Sequence, residues 1–330
     1  MDHKFSRIGI LTSGGDAPGM NAAIRAAART CVLNGITPIG IHRGYSGLIH
    51  SDVVELDARS VNGITSRGGT ILYTARCEEF KTDEGLHKAV SACRYLGLDG
   101  IIAIGGDGTF RGAEKLAAAG VNTICLPGTI DNDIACTDYS IGFDTAANTA
   151  IDAIDKLADT MQSHERTSVV EVMGRHAGHL AVYVGLSVGA TAILTPEKHF
   201  DFEKDVLEHI REGKYRGKHH HLIIVAEGLG KTLGIAERIE EELGLDTRVT
   251  IIGHVQRGGT PSAYDRMLST VFGVHAAKLI AGEEYGQAVG MAGNTVTHHP
   301  LSEVAGKTKF VPNDAQAIRA ARAMGISLGD

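Results

Sequence analysis

The chain has 330 residues and a formal net charge of −7 at pH 7, and 43% of its residues are hydrophobic while 22% are charged. This composition is ordinary for a globular protein and argues against an intrinsically disordered chain. The acidic balance disfavours nucleic-acid binding through bulk charge, and no apolar run approaches the roughly 20 residues that a membrane helix needs.

The N-terminal segment and the cysteines indicate a cytoplasmic protein. Met1–Arg7 leads directly into the first predicted strand, so we expect no signal peptide. The cysteines are odd in number and form no CxxC pair, which predicts neither a disulfide framework nor a zinc ribbon. They are Cys31, Cys77, Cys93, Cys125 and Cys136. We expect neither a membrane nor a nucleic acid as a partner.

Short aliphatic strands alternate with amphipathic helices along the chain. The predicted strands are 8–11, 101–104, 123–126, 168–172, 222–226 and 249–252, and the predicted helices are 20–33, 86–96, 112–119, 144–161, 201–212, 235–243 and 264–280. Fully apolar strands of this length are typical of a parallel sheet that is buried on both faces. The pattern predicts an α/β protein with doubly wound, parallel-rich sheets, and Asp144 or Thr145 is the predicted N-cap of its helix.

Each predicted strand runs into a turn that is rich in glycine or polar residues. Ligands of such sheets bind beyond the carboxyl ends of the strands, so these turns are the candidate site. In TSGGDAPGMN (Thr12–Asn21), Gly14 and Gly15 let backbone N–H groups approach a phosphate, although a tight turn with an Asp cap is an equal alternative. In GGDGT (105–109), Asp107 is placed to reach a Mg²⁺ ion that bridges phosphates, or to cap a helix.

The turn GTIDND (128–133) presents two carboxylates beside a hydroxyl. Asp131 and Asp133 next to Thr129 suit proton abstraction from a hydroxyl group, whereas the structural alternative is an Asx-turn. Arginines in or beside the turns suit a bidentate grip on phosphate. Each alone is more typical of a solvated surface, but together, beside glycine turns in an acidic protein, they indicate a focused anion site. These arginines are Arg76, Arg166, Arg175, Arg257 and Arg266.

Seven motifs together resemble the bacterial ATP-dependent 6-phosphofructokinases. In chain order they are GGDAPGMN, RGGT…AR, GGDGT, PGTIDND, SHERT, VMGRHAG and GHVQRGG…YDR, and they span Thr12–Arg266. The resemblance implies transfer of the γ-phosphoryl group of MgATP to the 1-hydroxyl of fructose 6-phosphate. It also implies two Rossmann-like domains with the active site in the cleft between them. Residues 1–141 and 256–303 would bind ATP, and residues 142–255 and 304–330 would bind the sugar phosphate.

The resemblance also assigns roles to individual residues. It implies catalytic roles for Asp131 as the base, Arg175 as a charge stabiliser, and Thr129 and Asp133 as their neighbours at the transferred group. The implied nucleotide and Mg²⁺ site is Gly15, Arg76, Cys77, Asp107, Gly108, Thr109 and Gly112, with Asp107 towards the metal. The implied sugar-phosphate contacts are Thr129, Asp131, Arg166, Met173, Gly174, Arg175, Glu227, Arg257, Ala263, Tyr264, Asp265 and Arg266. Arg166 and Arg257 would reach a neighbouring subunit, which implies a homotetramer.

Two glycines bear on the phosphoryl donor. Pyrophosphate-dependent relatives typically carry Asp at the position of Gly108 and Lys at the position of Gly128, so glycine at both positions favours ATP. A pyrophosphate-using or other sugar-phosphate kinase and a catalytically inactive regulatory subunit are the alternatives. The intact Asp107, Asp131 and Arg175 argue against the inactive subunit.

The resemblance weakens at the effector site of the family. Arg25, Arg29, Arg216 and Lys218 match its basic residues, whereas Ala58 and Ala158 replace arginines and Thr191 replaces a metal-binding Glu. We therefore expect weak or absent control by ADP or phosphoenolpyruvate. A solvated helix face is the alternative for Arg25 and Arg29.

The run His219–His221 invites a metal-site interpretation. Adjacent side chains on an extended chain point to opposite faces, so solvated histidines are the better expectation.

Overall fold

The computed structural model describes residues 6–329, which form two compact units. The first unit comprises residues 6–145 and 257–308, and the second comprises residues 146–256 and 309–329. The chain therefore passes between the units three times, after residues 145, 256 and 308. The assignment of ATP binding and of sugar-phosphate binding to separate domains, with boundaries at 141/142, 255/256 and 303/304, stays a prediction. The expected absence of a signal peptide rests mainly on residues 1–5, which lie outside the described residues.

Parallel strands account for most of the sheet structure in both units. The strands in chain order are β1 (Arg7–Ser13), β2 (Thr37–Ile41), β3 (Val53–Glu55), β4 (Gly100–Gly105), β5 (Thr123–Pro127), β6 (Thr167–Val172), β7 (Ala192–Leu194), β8 (His221–Ala226), β9 (Thr247–Ile251), β10 (Gln287–Ala292) and β11 (Thr295–Pro300).

Helices follow most of the strands, as the alternating pattern predicts. They are α1 (Met20–Leu33), α2 (Tyr45–His50), α3 (Asp83–Tyr95), α4 (Asp107–Ala118), α5 (Phe143–His164), α6 (His179–Ser187), α7 (His209–Tyr215), α8 (Thr232–Leu243), α9 (Ala263–Ala281), α10 (Leu301–Val304) and α11 (Gln316–Ala323). A π-helical segment, Glu203–Glu208, precedes α7. No helix among residues 6–329 combines the length and the apolar character that crossing a bilayer requires.

The first unit contains a seven-stranded sheet in the order β11-β10-β5-β4-β1-β2-β3. Strands β2, β1, β4, β5 and β10 run parallel, while β3 and β11 pair antiparallel at the two edges. Every residue of β4 is buried, because helices cover both faces of the sheet. The four-stranded sheet of the second unit has the order β7-β8-β6-β9 and is entirely parallel. The predicted α/β class with doubly wound sheets is confirmed.

The differences from the predicted elements have local causes. Strands β2, β3, β7, β10 and β11 were not predicted. Pro38 and Gly40 interrupt β2, Gly290 interrupts β10, and β3 and β7 are only three residues long. Helix α4 begins at Asp107, five residues before the predicted start, because the GGDGT turn continues directly into the helix. The predicted N-cap of α5 at Asp144 or Thr145 is wrong. The helix begins at Phe143, and the carboxylate of Asp265 accepts hydrogen bonds from the N–H groups of Gly142 and Thr145.

Helices α1 and α9 approach closely in the first unit. A Cβ atom on Gly273 would lie 2.6 Å from the carbonyl oxygen of Ala23 and 2.8 Å from the Cβ of Ala26. Because the opposing atoms belong to the backbone and to an alanine, neither can turn aside. The missing side chain at Gly273 therefore sets the spacing of the two helices.

Replacing Gly273 should test this spacing. We expect Gly273→Ala to destabilise the first unit by about 1–3 kcal/mol, because overpacking forces backbone shifts. The matched control is Gly234→Ala on the exposed face of α8, where no atom lies within 4 Å of the added Cβ. This control should be neutral or stabilising by up to about 1 kcal/mol. Calorimetric unfolding temperatures that rise in both variants would contradict the close-packing argument.

Candidate active site

Strand register in the first unit brings three of the predicted turns to one edge of the sheet. Ser13 at the end of β1 pairs with Gly105 at the end of β4, and Gly105 pairs with Pro127 at the end of β5. The hydroxyl of Thr109 donates to the carbonyl of Ser13 at 2.9 Å. The N–H of Gly128 donates to the carbonyl of Gly105 at 3.0 Å. The TSGGD, GGDGT and GTIDND turns are therefore neighbours.

The glycine-rich loop after β1 is fastened to the segment that carries Arg76. The side-chain amide of Asn21 donates to the carbonyl of Arg67 at 3.0 Å and accepts from the N–H of Ile71 at 2.7 Å. The hydroxyl of Thr74 donates to the carbonyl of Gly14, whose φ of 84° suits glycine. The first two motifs therefore form one structure, with Arg76 exposed beside it and Cys77 half-buried.

Gly15 leaves room for an arginine of the same unit. The Nη1 atom of Arg257 lies 2.7 Å from the place where a Cβ on Gly15 would be. Any side chain at this position would displace the guanidinium. The structure thus places Arg257 against the glycine-rich loop of its own chain, while its predicted reach to a neighbouring subunit stays a prediction.

The turn after β5 holds its two carboxylates at low exposure. Asp131 is 5% exposed and Asp133 is 9% exposed. Between them, Asn132 adopts a left-handed φ of 53°, and its side chain donates to the carbonyl of Asp138 at 2.9 Å and accepts from the N–H of Ser140 at 2.9 Å. The asparagine amide therefore braces the turn that carries the two carboxylates.

The first residues of α4 lie either at the sheet edge or against the protein interior. The carboxylate of Asp107 accepts from the N–H of Gly306 at 2.7 Å and pairs with Arg111 at 2.7 Å. A Cβ on Gly108 would have no atom within 4 Å, whereas a Cβ on Gly112 would lie 2.5 Å from the ring of Tyr45. Gly108 therefore faces open space, while the predicted nucleotide-site residue Gly112 allows close packing of α4 on Tyr45.

The oxygen donors at this edge fit a magnesium ion that arrives with a nucleotide. Mg²⁺ prefers carboxylate, hydroxyl and phosphate oxygens, and proteins usually hold it through one or two carboxylates plus substrate phosphates. Asp107 begins α4 at the carboxyl end of β4 and is 17% exposed. No cluster of three or more His, Cys, Asp or Glu side chains suited to a metal occurs between residues 6 and 329. Asp107 is therefore the carboxylate at this edge that could help to hold such an ion.

In the second unit, parallel register joins the turn after β6 to the turn after β8. Val172 pairs with Ala226, so Met173–Arg175 lies beside Glu227. The N–H of Arg175 donates to the carboxylate of Glu227 at 2.7 Å. Arg175 has a φ of 56°, which is uncommon for a residue with a side chain and is typical of functional turns. The Arg175 side chain is exposed, and this turn presents it to solvent.

Gln256 supports the same turn and was not predicted from the sequence. It is fully buried, and its amide oxygen accepts from the N–H of Met173 at 2.9 Å. Gly174, with a φ of 138°, completes the sharp bend between Met173 and Arg175. A glutamine next to the predicted Arg257 carries no distinctive sequence signal, because its partner is a backbone group 83 residues away.

A second residue missed by the sequence analysis is Arg248. Arg166 and Arg248 both pair with the carboxylate of Asp246, and the Arg248 contact measures 3.0 Å. Two guanidinium groups share one carboxylate, so the cluster keeps an excess positive charge on a partly exposed surface. The spacing Asp246–Arg248 at the start of β9 is the only sequence signal, and it is too common to be informative alone.

The predicted segment 263–266 has two kinds of environment. Ala263 is exposed, and Tyr264 and Arg266 are half-buried, with the Nε of Arg266 donating to the carbonyl of Pro261 at 2.8 Å. Asp265 is completely buried, and its carboxylate accepts from Gly142, from the backbone of Thr145 and from the Thr145 hydroxyl. Burial raises the pKa of Asp265 to about 6 despite these donors. The geometry suits anchoring of α5 to α9.

The predicted effector residues lie apart in the chain and in different surroundings. Arg25 and Arg29 are half-buried on one face of α1. Arg216 is exposed and pairs with Glu212 at 3.3 Å. The Nζ of Lys218 donates to the hydroxyl of Thr191 at 3.0 Å, and burial lowers the pKa of this lysine. Thr191 is itself 8% exposed, so the position of the family's metal-binding Glu is enclosed.

The three consecutive histidines differ in exposure. His219 is exposed and His220 is half-buried, but His221 begins β8 and is only 1% exposed. The expectation of solvated histidines is therefore wrong for His221, because the strand begins at this residue and turns its side chain into the core. Burial is the largest cause that lowers the pKa of His221 to about 4, followed by the charges of Lys218, His220 and Lys214.

Comparison with known proteins gives one consistent family. The sequence profile described as Phosphofructokinase matches residues 7–280. The ATP-dependent 6-phosphofructokinase of Bacillus pumilus (strain SAFR-032) is 51% identical over 307 residues, which cover 93% of this chain and 96% of that protein. The ATP-dependent 6-phosphofructokinase of Clostridium novyi (strain NT) is 52% identical over 304 residues, which cover 92% and 95%.

Solved structures agree at the level of the fold. Phosphofructokinase from Saccharomyces cerevisiae has a TM-score of 0.84 at 36% identity, and the match covers 90% of this chain but only 45% of the yeast chain. Pyrophosphate-dependent phosphofructokinase from Marinobacter aquaeolei has a TM-score of 0.85 at 20% identity, covering 97% of this chain and 91% of that one. At that identity the likeness concerns the fold alone.

The buried imidazole of His221 should make stability depend on pH. The unfolded chain binds a proton at His221 near pH 6.5, whereas the folded chain binds it only near pH 4. Protonation therefore favours the unfolded chain, so the free energy of unfolding is highest above pH 6.5 and decreases as the pH falls towards 4. We expect the loss of unfolding temperature between pH 7 and pH 5 to be smaller in His221→Leu than in the wild type.

The matched control for this prediction is His219→Gln, which replaces an exposed histidine two residues away. Its unfolding temperature should follow the pH dependence of the wild type. Equal slopes for the wild type and His221→Leu would show that another group titrates.

Proposed function

Because the chain belongs to the phosphofructokinase family, we propose that it is a glycolytic kinase that transfers the γ-phosphoryl group of MgATP to the 1-hydroxyl of fructose 6-phosphate. The products are fructose 1,6-bisphosphate and ADP. The observation that carries the proposal is the register that sets two glycine-rich turns beside the turn of Asp131 and Asp133. Phosphoryl transfer needs that combination of phosphate cradle and base. The cytoplasm is the proposed location.

The donor phosphates would lie on the glycine-rich turns. Gly15 and Gly108 let the backbone approach them, and the N-terminus of α4, whose first turn contains Thr109, favours anions. Arg76 and Arg257 would contribute positive charge at the same loop. Mg²⁺ would enter as part of MgATP beside Asp107, where it neutralises charge on the phosphates when bound.

Asp131 is the proposed general base. As its carboxylate takes the proton of the 1-hydroxyl, the sugar oxygen forms a bond to the γ-phosphorus and the bond to the bridging oxygen breaks, so ADP leaves with the electron pair. Thr129 and Asp133 would orient the reacting groups. Low exposure of the two aspartates limits competition from water for the phosphoryl group. The exposed guanidinium of Arg175 would offset charge on the transferred group.

The sugar phosphate would be held by the turns after β6 and β8 and by the start of α9. Glu227 and the turn Met173–Arg175 would contact the sugar, and Ala263, Tyr264 and Arg266 would contribute further contacts. Asp265 would act through α5 and α9 rather than by touching the substrate, because its oxygens already accept three hydrogen bonds.

Two arginines support an oligomeric enzyme. Arg166 and Arg248 share Asp246 and keep positive charge on a partly exposed surface, which suits a phosphate dianion. We assign Arg166 and Arg248 to the 6-phosphate of a neighbouring subunit, which Arg257 is also predicted to reach. The enzyme would then be a homotetramer with active sites completed across subunits. Most closed tetramers have D₂ symmetry.

The surroundings of Gly108 and Gly128 support ATP as the donor. The space at Gly108 is open, so nothing there obstructs a nucleotide. A Cβ on Gly128 would lie 3.0 Å from the Cε of Met20 and 3.1 Å from the Cγ2 of Ile104. The lysine of pyrophosphate-dependent relatives is therefore poorly accommodated at position 128.

A steady-state assay with Mg²⁺ and fructose 6-phosphate tests the donor, the acceptor and the base together. We expect activity with ATP and not with pyrophosphate. Asp131→Asn should lower kcat by about 10²–10⁴-fold, because it removes the general base without changing the shape of the side chain. The matched control is Asp138→Asn in the same loop, which should change kcat less than about twofold if only Asp131 abstracts the proton.

Substitutions at Gly108 test the choice of ATP as phosphoryl donor separately from the role of Asp131 as base. Gly108→Asp adds a carboxylate in open space, so a higher KM for ATP with intact folding would reflect repulsion of the phosphates. Gly108→Ala controls for the loss of glycine. Activity of the wild type with pyrophosphate alone would contradict the choice of ATP, and full activity of Asp131→Asn would contradict the assignment of the base.

We further propose that control by ADP and phosphoenolpyruvate is weakened. Alanine at positions 58 and 158 and threonine at 191 remove two guanidinium groups and one carboxylate from the family's effector residues. Each loss would cost about 1–3 kcal/mol of effector binding. The enclosed Thr191 already accepts a hydrogen bond from Lys218, so this lysine is partly engaged within its own chain.

Saturation curves for fructose 6-phosphate test this proposal. The half-saturating concentration should change less than about twofold when millimolar phosphoenolpyruvate or ADP is added, because effector binding has lost several charged contacts. The variant Ala58→Arg/Ala158→Arg/Thr191→Glu should respond more strongly than the wild type. A large sigmoidal shift in the wild type would contradict weakened control.

A further inference from the structure

Two histidines and a glutamate form a line of contacts that the kinase reaction does not use. His275 lies in α9, His298 lies on the edge strand β11, and Glu284 follows the C-terminal end of α9. The Nε2 atom of His275 lies 3.2 Å from the Nδ1 atom of His298. On the opposite side of the same ring, the Nε2 atom of His298 lies 3.5 Å from the carboxylate of Glu284.

The distance between the facing ring nitrogens fits a shared metal ion. An ion placed about 2.0–2.1 Å from both nitrogens would see them at an angle of about 100°, which is close to tetrahedral geometry. The two imidazole rings have centroids 5.4 Å apart and are inclined at 31°. A bound ion would replace the hydrogen bond between the two nitrogens, and the rings would turn so that both lone pairs face it.

Glu284 lies on the side of His298 from which a supporting carboxylate acts at such sites, at an ion-pair distance of 3.5 Å. A metal-binding histidine usually directs its other ring nitrogen at a carboxylate or a carbonyl, which orients the ring and strengthens it as a ligand. His298 faces His275 through Nδ1 and Glu284 through Nε2. The carboxylate also opposes the positive charge of Lys278, which lies near His275 on the same helix.

The site is both accessible and held by regular structure. The side chain of His298 is 38% exposed and that of Glu284 is 56% exposed, so an ion and its waters can enter from solvent. The backbone at His298 is fixed by antiparallel pairing with Val289 of β10. His275 is fixed within the 19-residue helix α9.

We propose that His275 and His298 bind one divalent transition-metal ion, with Glu284 as the supporting carboxylate and water as the remaining ligands. Imidazole nitrogens suit Zn²⁺, Cu²⁺, Ni²⁺ and Co²⁺, whereas Mg²⁺ prefers oxygen. The site is therefore chemically distinct from the proposed magnesium position at Asp107. A bound ion would tie α9 to the edge strand β11.

The competing interpretation is a histidine pair that shares a proton and binds no metal. Counting the nitrogens that an ion contacts distinguishes the two. Cu²⁺ added at half an equivalent to the full chain should give an electron spin-echo modulation pattern of two imidazoles. His298→Gln and His275→Gln should each remove one imidazole from that pattern.

Calorimetric titration with Zn²⁺ in the presence of millimolar Mg²⁺ gives the affinity. We expect one tight site per chain, weakened at least about tenfold by either histidine substitution, and weakened about 10–100-fold by Glu284→Gln, as loss of a supporting carboxylate does elsewhere. The matched control is His299→Gln, because adjacent residues of β11 point to opposite faces of the sheet. This variant should bind Zn²⁺ like the wild type.

Kinase activity with MgATP provides the check on folding, because none of these residues belongs to the proposed catalytic machinery. Two coupled imidazoles in the wild type, together with normal activity and lost Zn²⁺ affinity in the His275 and His298 variants, would support the site. Fewer than two imidazoles in the wild type, or equal Zn²⁺ affinity in the wild type and the double variant, would overturn it.

Discussion

Parallel pairing of β1, β4 and β5 is the constraint on which the rest of the candidate site depends. A parallel ladder brings strand ends to the same edge, so turns that are about 90 residues apart in the chain become neighbours without any direct sequence link. The ladder itself needs strands that are apolar on both faces, and this explains the isoleucine-rich β4. Burial of aliphatic side chains on both faces thus creates the polar edge where chemistry is proposed.

The sequence predicts the strands of this fold where an uninterrupted apolar run marks them. The apolar runs of β1, β4, β5, β6 and β8 were predicted because nothing interrupts them. The edge strand β11 was not, because THH on a solvent-facing edge has no hydrophobic pattern. The start of α5 was placed wrongly for a different reason, since its cap comes from Asp265, far away in the chain. Local rules cannot find a cap that tertiary structure supplies.

The residues of the candidate site likewise fall into those that the sequence could predict and those that it could not. Glycines and aspartates in the turns could be named from sequence, because each motif is contiguous and its chemistry is local. Gln256 and Arg248 could not, because a buried amide on Met173 and a shared carboxylate at Asp246 exist only after folding. Gly112 and Asp265 remain predicted site residues, and their immediate contacts are a tyrosine ring and the N-terminal turn of α5.

The different surroundings of Gly108 and Gly128 make the two positions unequally tolerant of substitution during evolution. A side chain at 108 enters open space, so that position can vary by a single substitution without disturbing the fold. A Cβ at 128 would lie 3.0 Å from the Met20 side chain and 3.1 Å from that of Ile104, so a change there requires these neighbours to shift by a few tenths of an ångström. Lineages that exchange one phosphoryl donor for another would therefore be expected to acquire the carboxylate more readily than the lysine.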